Sequence, residues 1–300
     1  MNEESKTPQP VEWVEPAPAK PRKKIRHMIW AVVLIALMLA GQLLGDLSMN
    51  ALASALHITD GATLFLFMYL SFWGIHLVVL LYTLLCERPI FRSFLHLGPN
   101  GGSGNTWKLF GLGLLVGFAM NALCILAAYL HGDLDFSVGR FDLPYLLGAL
   151  GCVCVQSGAE ELLCRGYMFG AVRERYNVWV AGIVNAFLFG ALHLANPGVT
   201  VLSVVNIVLF GLALSVAMAK LESLWFCVAV HTAWNYSQSI FFGLPNSGIV
   251  SQGSFLHLEA ATDSVLYSTA FGVEGTITTS LVLLILSLIV LLCARRKAGN

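Results

Sequence analysis

Charge is what this sequence has least of. Only 11% of its 300 residues are Asp, Glu, Lys or Arg, against about a quarter in an ordinary globular domain. That shortage excludes a water-solvated surface over most of the chain. The 17 basic and 17 acidic residues cancel, and no basic stretch interleaved with aromatics is present, so no nucleic-acid partner is expected. The seven cysteines (Cys86, Cys124, Cys152, Cys154, Cys164, Cys227 and Cys293) fall in or beside apolar segments. They lack the clustered spacings of a disulfide scaffold or a zinc module and read as small buried hydrophobes. No repeat of fixed period occurs.

What remains is apolar. Hydrophobic residues make up 57% of the chain and the mean hydropathy is +0.75. Runs of ~20 apolar residues are what a helix needs to cross a bilayer. Eight such segments are visible, near 28–46, 62–86, 107–130, 143–164, 178–195, 199–219, 223–243 and 276–293. The expectation is an all-α, polytopic membrane protein with about eight transmembrane helices. Residues 1–27 read as a Pro-rich, disordered cytoplasmic tail, 28–293 as the transmembrane domain and 294–300 as a basic C-terminal tail. The first apolar run lacks a small-residue cleavage site and reads as a retained anchor. Gly98–Asn105 ("GPNGGSGN") reads as a flexible loop, and Leu244–Gly275 as a long connection holding an amphipathic or re-entrant piece. With the N-terminus inside, the inner segments collect the six basic residues before the first helix. They also collect Arg88, Arg92, Lys108, Arg165, Arg173, Arg175, Lys220, Arg295, Arg296 and Lys297, leaving only Arg140 outside. The positive-inside rule therefore places both termini in the cytoplasm.

Three ionisable groups interrupt the fourth segment, in "SGAEELLCRGY" (Ser157–Tyr167). Glu161 and Arg165 are four apart with the glutamate first, the favoured order for an ion pair on a helix. A bilayer makes an unpaired charge costly, so the two are expected to neutralise each other. Glu160 then has no evident partner on its own helix and is the candidate general base. "FGALH" (Phe189–His193) ends the fifth segment, and "HTAWN" (His231–Asn235) lies in the seventh. His231 and Asn235, four apart, present two donors to one side, as an oxyanion-stabilising pair does. Depth supports a common site. At ~1.5 Å per residue, Glu160 lies ~22 Å above Arg175, His193 ~21 Å above Trp179, and His231 and Asn235 ~16 and ~22 Å above Lys220. This layer exists only if the fourth helix continues, long or bent, through "GYMFGAVRERY".

Together EELLCR (160–165), FGALH (189–193) and HTAWN (231–235) resemble the EExxxR, FxxxH and HxxxN motifs of one family. That family is the type II CAAX-prenyl-endopeptidase and bacteriocin-processing (CPBP, Abi) intramembrane proteases, and the resemblance covers roughly 107–243. It implies a protease core over those residues and a glutamate-dependent endopeptidase in a multi-pass membrane setting, most simply a bacterial plasma membrane. It implies Glu160 and His193 activating a water, His231 and Asn235 holding the oxyanion, and Glu161 with Arg165 in support. The implied partners are membrane lipid and a membrane-associated peptide or protein, with no cofactor. A zinc version would use Glu160, His193 and His231 as a His₂Glu set. It is the lesser alternative, since no HExxH is present and Asn235 is a poor zinc ligand.

Two rival functions fit the same composition. One is a non-catalytic bacteriocin-immunity or partner-binding protein of the same fold. The other is a proton-coupled transporter, which would favour paired internal repeats. The other polar groups in apolar segments read as structural. His76, Asn121, Asn185 and Asn206 are expected to hydrogen-bond between helices, and Gly111, Gly113 and Gly117 to mark close helix contact.

Overall fold

The computed structural model describes residues 29–94, 104–139 and 141–295. The 1–27 tail, the 98–103 part of the Gly-rich loop, Arg140 and the basic residues 296 and 297 lie outside them. Every one of the eight apolar segments is helical. In chain order these are α1 (Ile29–Ala55), α2 (Gly61–Leu70), α3 (Trp73–Cys86), the short α4 (Arg88–Phe94) and α5 (Trp107–His131). Then come α6 (Leu143–Glu161), α7 (Phe169–Arg173), α8 (Val178–Leu192), α9 (Val201–Leu221), α10 (Leu224–Tyr236) and α11 (Ile277–Arg295). The starts are set by local chemistry. Asp60, Thr106, Asp142, Asn177, Thr200 and Ser223 each sit at an N-cap and accept a backbone N–H from three residues on, satisfying a donor the helix itself leaves open. Helix α5 stops at Gly132, whose φ of 90° is the left-handed conformation glycine adopts without steric cost.

A π-helical stretch, Leu162–Met168, joins α6 to α7. Leu143–Arg173 is thus one 31-residue helical run, the long fourth helix that the depth argument requires. Five runs are long and apolar enough to cross a membrane: Ile29–Ala55, Gly61–Cys86, Trp107–His131, Leu143–Arg173 and Val201–Leu221. Val178–Leu192 and Ile277–Leu292 are apolar but shorter. The 15 residues of α8 rise only ~22 Å, short of the ~30 Å hydrocarbon core. Val32, Leu39, Leu43, Leu85, Leu115 and Leu284 are all exposed, an apolar surface that lipid solvates and water does not. The chain is an all-α, polytopic integral membrane protein.

The long connection departs from expectation. In place of an amphipathic or re-entrant helix it forms β2 (Leu256–Ala261), which pairs antiparallel with β1 (Leu134–Val138), and a 3₁₀ turn at Val273–Gly275. Neighbouring chain from the end of α5 supplies backbone partners, and pairing removes the need for a helix.

Helix α10 sits at the centre of the packing. A Cβ on Gly117 would come within 2.2 Å of Val230 O and one on Gly113 within 2.7 Å of Phe226 O, whereas Gly111 faces open space. Two of the three glycines therefore bring α5 onto α10. Polar groups fasten the same layers. Asn121 donates to Gln238 Oε1 at 2.7 Å, Asn206 donates to Glu274 O and Thr276 O, and His76 Nε2 meets Val155 O at 2.9 Å.

Candidate active site

Glu160 and Glu161 close α6, and the wider π stretch begins at the next residue. Arg165 Nη1 donates to Glu161 Oε1 at 2.9 Å, and both side chains are fully buried. The expected ion pair is present, and Phe189 covers its guanidinium at 4.3 Å. The pair has a third member. His231 Nδ1 lies 2.9 Å from the same Glu161 oxygen. A carboxylate only accepts, so Nδ1 carries the proton. The other ring nitrogen of His231 then faces Glu160, at 3.8 Å from Oε2.

Glu160 does have a partner on its own helix. Gln156, one turn earlier, donates from Nε2 to Glu160 Oε1 at 2.6 Å. The Gln156 carbonyl in turn accepts from Asn235 Nδ2 at 3.1 Å. One amide therefore joins the candidate base to the candidate oxyanion residue. Its i−4 spacing from Glu160 was readable in the sequence, but an uncharged glutamine drew no attention there. Glu160 Oε2 makes no hydrogen bond.

His193 stands at the end of α8, with Nδ1 2.8 Å from Phe189 O. The carbonyl accepts a hydrogen bond from Nδ1–H and leaves Nε2 as an acceptor. Glu160, His193, His231 and Asn235 all line one cavity of about 410 Å³, together with Gln156, Glu274, Asn246, Ser247 and apolar residues of α1–α3 and α9. The four residues that the depth argument puts in one layer thus line one cavity. Glu161 and Arg165 stand behind its wall.

Glu274 escaped the sequence reading, which assigned the 244–300 region topology alone. Glu274 accepts from Trp234 Nε1 at 3.1 Å, Ser247 N at 2.6 Å and Ser247 Oγ at 2.9 Å. Burial pushes its carboxyl above the usual carboxylate range, against the pull of the two Ser247 bonds. No local motif announces it, because its partners lie on α10 and in the loop after it.

Among the described residues no three His, Cys, Asp or Glu side chains are grouped to hold a metal ion. His231 Nδ1 and His193 Nδ1 are held by Glu161 and by a carbonyl, which leaves Nε2 of both rings toward the cavity.

Comparison with known proteins agrees with this geometry. Residues 142–237 match a family model described as type II CAAX prenyl endopeptidase, Rce1-like. A Bacillus subtilis (strain 168) protein named uncharacterized protein YyaK is 28% identical over 185 residues, covering 56% of this chain and 60% of that relative. The match thus spans less than two thirds of the relative's length. No solved structure matches. The matched stretch contains Glu160, Glu161, Arg165, His193, His231 and Asn235. Residues 142–237 of this membrane protein are therefore similar to the Rce1-like, type II CAAX prenyl endopeptidases.

Proposed function

We propose that the protein is an intramembrane endopeptidase that hydrolyses a peptide bond with a water activated by Glu160. The observation that carries this reading is the state of the Glu160 carboxylate. One oxygen is fixed by Gln156, while the other makes no hydrogen bond, and the side chain lines a cavity shared with His193, His231 and Asn235. In this reading Glu160 takes a proton from the water, while His193 Nε2 accepts a hydrogen bond from the O–H that the water keeps. The water oxygen bonds to the substrate carbonyl carbon, whose oxygen becomes the oxyanion. Asn235, with its second amide hydrogen, and His231, held at Nδ1 by Glu161 and taking up a second proton at Nε2 when substrate binds, donate to that oxygen. The C–N bond then breaks as Glu160 returns its proton to the leaving amine. The substrate is a membrane-associated peptide or protein. The Bacillus relative supports a bacterial plasma membrane as the setting.

The test compares membrane proteomes of cells carrying the wild type and Glu160→Gln. New protein termini are expected with the wild type and not with the variant, while the variant still extracts folded in detergent. The same termini produced by the folded variant would overturn the reading. A partner-binding protein, by contrast, would keep its protective effect on cells after the substitution.

A further inference from the structure

Behind the cavity wall, the Glu161–Arg165 pair is extended by two residues that no motif contains. Asn185 of α8 is fully buried and Ser215 of α9 nearly so. The Asn185 amide has two orientations. One sets its nitrogen on Cys164 O at 3.0 Å and its oxygen on Arg165 Nε at 3.2 Å, with Ser215 Oγ at 2.9 Å. The other keeps a bond from Nδ2 to Ser215 Oγ at 2.9 Å but presses the amide oxygen on Cys164 O and the amide nitrogen on Arg165 Nε, so the first is the one the surroundings select. Cys164 O belongs to the π stretch, where it also receives the N–H of Phe169. The single Ser215 hydroxyl hydrogen is shared between the Asn185 oxygen and Gly211 O, which lies 2.7 Å away.

The contacts form one unbroken line: Ser215, Asn185, Arg165, Glu161, then His231 Nδ1. It crosses from α9 through α8 and α6 to α10. Arg165 reaches Glu161 through Nη1 alone, and a single bond does not fix the plane of a guanidinium. Asn185 on Nε and the Phe189 ring at 4.3 Å supply the remaining constraints. The position of Glu161 Oε1, and with it the tautomer of His231, then depends on a residue that never touches the cavity.

We infer that Asn185 is a positioning residue for His231, acting through Arg165 and Glu161, and that Ser215 anchors it. The consequence for turnover rests on the proposed hydrolysis, but the structural coupling does not. The first measurement is therefore spectroscopic. ¹⁵N-histidine-labelled protein in lipid nanodiscs should show His231, identified by the signal lost in His231→Gln, as protonated at Nδ1. Asn185→Leu is expected to convert it to a mixture of tautomers. The isosteric Asn185→Asp fills the same space if the leucine variant does not fold. It sets a second carboxylate on Arg165, draws the guanidinium from Glu161 and is expected to give a doubly protonated His231.

The second measurement is peptide hydrolysis, where Asn185→Leu should lower kcat roughly 10- to 100-fold, the worth of one hydrogen bond to a charged group. KM should stay within about twofold, since the substrate cavity is untouched. An unchanged His231 signal in the folded Asn185 variants overturns the inference. Absence of hydrolysis by the wild type, with the His231 response intact, sinks the proposed reaction and leaves the coupling standing.

Discussion

Glu161 has to answer two donors at once, Arg165 and His231, where its side chain is fully buried. Its other oxygen, and Nη2 of Arg165, make no hydrogen bond, so the pair stands close to the limit of what burial tolerates. Removing one partner strands the other, and a stranded buried charge costs about 3–5 kcal/mol. Arg165→Met is expected to destabilise the detergent-solubilised protein by about that amount. Combining it with Glu161→Gln should restore part of the loss, since no charge is then left alone. Unfolding curves of the two variants check this, and equal loss in both would contradict the pairing argument. Gln156 bears on rate more than on folding. Replacing it by leucine leaves Glu160 Oε1 and Asn235 Nδ2 without their partner. A hydrogen bond to a carboxylate contributes about 1.5–3 kcal/mol, so kcat for Gln156→Leu should fall roughly 10- to 100-fold.

At the scale of elements, the same helices show why some of the site was legible and some was not. EELLCR, FGALH and HTAWN carry their information in i, i+4 spacing. That spacing is a property of one helix, and it survives into the structure as the Glu161–Arg165 bond and the single cavity. The continuous Leu143–Arg173 run could be inferred because depth demanded it. That its middle would be π-helical could not, since the widened backbone, whose Cys164 carbonyl also meets Asn185 of another helix, is decided by packing between helices rather than by local spacing. Gly111, Gly113 and Gly117 looked alike in sequence, yet only two face α10, because the helical phase relative to a neighbour is set by packing. The difference is testable. Gly117→Val would drive a side chain into Val230, whose carbonyl oxygen lies 2.2 Å from the new Cβ, whereas Gly111→Val meets nothing within 4 Å. Overpacking of this kind costs about 1–3 kcal/mol. Gly117→Val should melt earlier than the wild type in detergent, and Gly111→Val should not.

Over the whole molecule, the cavity is closed by chain far from the motifs. Glu274 ties the turn at Ser247 to Trp234 of α10. Asn196, three residues past His193, donates to Ser247 O at 3.1 Å. Asn246 reaches Asn235 O at 3.5 Å. The loop after α10 is therefore fastened to α10 and to the turn after α8, two of the three elements that carry site residues, and Glu274 is the only ionisable group among those fastenings. Its carboxyl is raised by burial, so the folded state binds a proton there more readily than the unfolded chain does. Stability from this group is then full below the ordinary glutamate value of about 4.3 and is lost as pH rises through the higher folded value. Glutamine mimics the protonated form and carries no such dependence. Melting wild type and Glu274→Gln side by side in detergent from about pH 4 to 7 should show the wild type losing ground to the variant as pH increases. A difference that stays flat, or grows in favour of the wild type, would mean that the Ser247 bonds outweigh burial and that Glu274 is held as a carboxylate.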